Sequence, residues 1–189
     1  MNGLECGLRA PCAVWLPAVA AVLAVAPADA SRFGRNGFSG DPDTNGGAVC
    51  SVCHAPGEAQ SPQVFLQGPT QVDAGDTVRY TVTLLGGPAV TGGVNVSVSG
   101  AVGSLVPVDD SLQLVAEELA HTEPQPFAGD QLTFVFDWTA PAWDADVVFY
   151  AAGNSTNGNL DLENDGVASA TFDVAVINGF EDPPPPPPP

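Results

Sequence analysis

The sequence predicts an all-β domain, an immunoglobulin-like β-sandwich of about eight strands, preceded by an irregular segment that carries a cofactor motif. Three observations predict it. Short runs alternate apolar and polar residues and are rich in β-branched and aromatic side chains; Gly, Pro, Asn and Asp punctuate every gap between them; and no convincing amphipathic helix interrupts the series.

Residues 1–30 read as a signal peptide. Arg9 supplies a weak positive start, residues 13–26 form an apolar run, and Ala28-Asp29-Ala30 is a small-residue cleavage site before Ser31. The run is short for a membrane span, so the mature chain is expected to have none. Cys6, Cys12 and Met1 leave with this leader. Two cysteines then remain, Cys50 and Cys53.

Residues 31–62 form a loop-rich segment without apolar periodicity. Asp41-Pro42-Asp43-Thr44-Asn45-Gly46 imitates the opening of a calcium loop, but its twelfth position is Val52 rather than Glu, so the stretch reads as a turn. Just beyond it stands Cys50-Ser51-Val52-Cys53-His54, the CxxCH pattern of covalent haem c attachment. Two thiols can bond the haem vinyl groups while His54 ligates the iron. A disulfide between Cys50 and Cys53 would close only a tiny loop and constrain the unfolded chain little. Thioredoxin-like chemistry expects the motif in a βαβ setting, which this chain lacks. Zinc held by Cys50, Cys53, His54 and His121 is a further alternative, set back because adjacent Cys53 and His54 do not easily face one tetrahedral ion.

Residues 63–178 make the sandwich. Strands are expected at 63–67, 77–85, 94–99, 104–108, 112–116, 132–138, 146–151 and 170–177, with a turn at 72–76. Val94, Val96 and Val98 fall on one face of their strand. Phe134, Phe136, Trp138, Phe149, Tyr150 and Phe172 are the aromatic core or core-edge candidates. Residues 154–166 read as a long acidic loop that meets no calcium spacing rule. Residues 179–189 are a tail ending in seven prolines, a polyproline II spacer.

His121 is the other histidine. With Met1 lost, a His/Met-ligated iron is excluded, and His121 becomes the leading sixth ligand opposite His54; otherwise that position is open. Four arginines, no lysine and 22 acidic residues give the 189-residue chain a net charge of −18. The leader holds Arg9, Glu5 and Asp29, a net of −1, so −17 remains. Such a surface repels nucleic acid and anionic lipid and argues against both as partners. One spare histidine supports no Ser-His-Asp triad, and no phosphate-cradling glycine loop stands between a strand and a helix, so no enzyme activity is expected.

Four blocks carry a resemblance: residues 34–40 ahead of the CxxCH motif, residues 118–122 around His121, residues 136–141 and residues 149–154. In these the chain resembles bacterial exported proteins with a choice-of-anchor type V domain, a Reeler-like β-sandwich preceded by CxxCH, over nearly all of its mature length. His121 matches the family's His-Thr position. The resemblance implies an extracytoplasmic, surface-associated protein with a haem-c-like motif and no known enzyme activity. Members often end in a sorting segment with an apolar helix and basic tail, and this chain departs from that pattern. The expected function is an exported haem c protein, with iron held by His54 and His121, in electron transfer or redox sensing with an unidentified redox partner. The alternative is a surface adhesion or matrix-type domain in which CxxCH is structural or binds another metal.

Overall fold

The computed structural model describes residues 32–58 and 60–179; the expected leader at 1–30 and the proline run lie outside them. The alternating runs form a two-sheet sandwich of eleven strands rather than eight: β1 Gln63–Gln67, β2 Gln71–Asp73, β3 Thr77–Leu85, β4 Thr91–Val98, β5 Ser104–Pro107, β6 Leu112–Val115, β7 Glu118–His121, β8 Gln125–Pro126, β9 Gln131–Thr139, β10 Ala145–Thr156 and β11 Gly166–Ile177. One sheet runs β1-β3-β9-β5, the other β2-β11-β10-β4-β7-β6 with β8 also on β4. All pairings are antiparallel except β11 with β2.

The three unexpected strands have physical causes. β2 and β8 hold three and two residues, too few for alternation to be visible. β7 has four residues, and its first three are buried, so neither face is marked by polarity. β10 also runs further than expected, through Gly153 to Thr156, which shortens the acidic loop to residues 157–165.

The core gathers between the sheets. Trp138, Phe136 and Phe149 are fully buried, Phe134 nearly so, and Tyr80, absent from the sequence-based candidates, joins them. The Tyr80 and Phe149 rings lie 4.8 Å apart, and Trp138 meets Phe149 edge-on at 5.2 Å. Phe172 pairs in register with Phe149 and packs at the core edge. Tyr150, one residue on, faces the opposite side of the sheet and is half-buried.

The strand β4 departs most from a one-faced pattern. Val94, Val96 and Val98 do face the core, yet Gly93, Asn95 and Ser97 on the other face are buried as well. The His121 ring covers Gly93, and residues 38–41 cover Asn95 and Ser97. Phe38 donates its N–H to Asn95 Oδ1 at 2.7 Å, Ser39 Oγ meets Ser97 Oγ at 2.8 Å, and Ser97 Oγ donates to Asp41 Oδ2 at 3.1 Å. Gly37 donates its N–H to Glu118 Oε2 on β7 at 2.6 Å. The polar residues that look solvent-facing in the sequence are therefore the adhesive for a third layer.

Candidate functional site

The covering segment brings its CxxCH motif onto β4, β7 and β10. Cys50–Val52 form one turn of 3-10 helix, and the N–H groups of both Cys53 and His54 donate to the Cys50 carbonyl, at 3.2 and 2.9 Å. In a 3-10 turn positions i and i+3 eclipse, which puts Cys50 and Cys53 on one side, and His54 borders the same cavity as both. Both cysteines are free and half-buried. Burial pushes the Cys50 thiol up to about 12. That is the reverse of the depressed thiol that dithiol redox catalysis requires.

The residue after the motif is tied to the acidic loop. Ala55 donates its N–H to the Leu162 carbonyl at 2.7 Å and accepts from the Asp165 N–H at 3.2 Å. This places the Asp165 carboxylate, 1% exposed, 2.7 Å from His54 Nδ1. On the other side of the ring, Asn154 Nδ2 of β10 lies 3.2 Å from His54 Nε2. A carboxylate accepts and an amide nitrogen donates. The partners therefore assign the proton to Nδ1 and a lone pair to Nε2.

His121, at the end of β7, packs its ring over Gly93 of β4, where a Cβ would stand 2.4 Å from His121 Cε1. Its Nδ1 lies 3.2 Å from the Val94 nitrogen and 3.3 Å from the Val94 oxygen. Burial holds its pKa below the usual imidazole value, so the ring is neutral at neutral pH. A second glycine is demanded nearby: a Cβ on Gly34 would stand 2.2 Å from the His121 carbonyl oxygen, which accepts the Gly34 N–H.

Cys50, Cys53, His54 and His121 all line one cavity of about 60 Å³, beside Asn154 and Arg35. His54, His121 and Asn154 also border an adjoining cleft of about 340 Å³, which adds Gly92, Gly93 and Arg32. The fold thus brings together every site residue named from the sequence. It adds three that sequence reasoning passed over: Asp165 and Asn154, which sat in a stretch read as solvated loop, and Arg35, which has no motif of its own. The clustering of charge is a further signal. Of the three arginines among the described residues, Arg79 is bonded to Asp137 on the other sheet, whereas Arg32 and Arg35 border the cleft and the cavity. Among the described residues no group of three or more His, Cys, Asp or Glu stands at metal-holding spacing. No helix among them is long and apolar enough to cross a membrane.

No family model matches the chain, and no curated protein matches it. Among solved structures, the chain is similar to a cohesin module from a Clostridium perfringens family 33 glycoside hydrolase, at 13% identity and a TM-score of 0.44, over 63% of this chain and 98% of that one. It is also similar to a CARDB domain from Pyrococcus furiosus solved in complex with di-metal ions, at 20% identity and a TM-score of 0.38, over 66% of this chain and 94% of that one. Neither likeness bears on the site.

Proposed function

We propose that the chain is an exported c-type haem protein, of the choice-of-anchor type V kind, that works in electron transfer or redox sensing and catalyses no reaction of its own. One observation carries this reading. His121 lies 67 positions beyond His54 in the sequence, yet it borders the same cavity as the CxxCH turn. A histidine placed there by chance would have no reason to be packed over a glycine that accommodates its ring.

The donor set suits the group. Cys50 and Cys53 offer two free thiols on one side of a turn, His54 offers an Nε2 lone pair now held by the Asn154 amide, and His121 offers a second neutral imidazole. Arg32 and Arg35 bring positive charge that matches haem carboxylates in a strongly acidic chain. The volume is the demanding part: about 60 Å³ takes a handful of waters, and the Asn154 amide caps Nε2. Binding therefore requires the Asn154 side chain to leave Nε2 and the cavity to open into the cleft. Once bound, haem supplies a one-electron iron couple, and two imidazole ligands favour low-spin iron of lower potential than His/Met ligation.

The test is the intact mass and absorbance of protein exported from cells with c-type maturation machinery. The expected product is coloured, heavier than the polypeptide by one haem, and keeps its colour through denaturing extraction. Joint Cys50→Ser and Cys53→Ser substitution should abolish the covalent link. A colourless product at the bare polypeptide mass overturns the reading in favour of an adhesion domain.

A further inference from the structure

The contact between His54 and Asp165 is the most heavily built feature of the site, and the haem reading alone does not call for it. The two residues are 111 positions apart, and the loop that carries Asp165 is joined to the motif segment by two backbone hydrogen bonds through Ala55. Asp165 Oδ1 accepts the Asn157 N–H at 3.2 Å, which fixes the carboxylate plane, and Oδ2 is left for the imidazole. Asn164 braces the same loop by accepting the Glu58 N–H at 3.3 Å. A carboxylate this buried, in a chain this acidic, has no arginine partner among the described residues. Among the described residues, the titratable side chain it meets is the ring that follows the two thiols.

We propose that Asp165 is a positioning residue that sets both the orientation and the electron density of His54. A carboxylate accepting the Nδ1 proton draws that proton partly away and pushes electron density to Nε2, which makes the imidazole a stronger donor to iron. A stronger anionic donor favours ferric over ferrous iron. The site is thereby biased towards giving up an electron, at the low end of the range open to a two-histidine haem. The proton also fixes which nitrogen is available, so the ring cannot turn over and present Nδ1 instead. The proposal rests on the haem reading and adds to it a direction for the potential.

Two measurements test it separately from that reading. In the full-length chain with Cys50 and Cys53 changed to Ser, which carries no covalent haem, nitrogen NMR of His54 should report the proton on Nδ1 and a bare Nε2. Asp165→Asn should abolish that preference. A proton on Nε2 in the parent chain overturns the proposal whether or not haem attaches. In the haem-loaded protein, Asp165→Asn should lower the preference for ferric iron at least tenfold, a rise of about 59 mV in a one-electron potential. Asn164→Ala, which loosens the same loop but keeps the carboxylate, should leave the potential where it was. Equal shifts from both variants would reduce Asp165 to a structural brace, and no shift from Asp165→Asn would remove the electronic role while the haem reading stands. Should neither protein carry haem, both fall.

Discussion

Trp138→Ala should cost the sandwich about 3–5 kcal/mol, the range for emptying a buried aromatic site. Folded domains hold only about 5–15 kcal/mol in total, so the variant should be largely unfolded or unfold at much lower denaturant. The loss has two parts. The indole is fully buried and meets Phe149 edge-on at 5.2 Å, and its Nε1–H donates to the Val102 carbonyl at 3.0 Å, an acceptor left unpaired after truncation. The nearby backbone is shaped to it as well, since a Cβ on Gly103 would stand 2.5 Å from Trp138 Nε1. Chemical denaturation followed by circular dichroism checks the effect, with Trp143→Ala as the control. Trp143 is 59% exposed, and its truncation should change stability by no more than about 0.5 kcal/mol. Equal midpoints for the two variants would show that the core has been misplaced.

His121→Ala should convert the haem-loaded protein from low-spin to high-spin absorbance without loss of the covalent link. The substitution removes the second imidazole and leaves Cys50, Cys53 and His54 in place. Gly93→Val should do the same with the imidazole still present, because its Cβ would occupy the space of the His121 ring at 2.4 Å. The second variant separates loss of a ligand from loss of its position. An unchanged low-spin spectrum in His121→Ala would assign the sixth position to another group.

Much of the sandwich was legible because one buried face imposes a period of two on the strands that line it. The runs at 63–67 and 77–85 coincide with β1 and β3, and Phe134, Phe136 and Trp138 alternate into the core along β9. Legibility stopped where a third layer covers a sheet. Asn95, Ser97 and Asn154 are polar and buried, and polarity alone reads as exposure. For the same reason β10 was expected to end at residue 151, and Asn154 was assigned to a loop. The site residues were legible in proportion to how local their chemistry is. CxxCH is complete within five residues, whereas Asp165 acquires its role only through register with a segment 111 positions away. His121 lay between the two, marked by rarity rather than by any spacing.

The ring that follows the two thiols is clasped by a loop made only after β10, so synthesis imposes a timetable on the site. A chain leaving the ribosome displays Cys50 and Cys53 as open sulfhydryls while β4, β7, β10 and β11 do not yet exist. Any chemistry that needs both sulfurs accessible has its widest opportunity in that interval, before closure raises the Cys50 thiol to about 12.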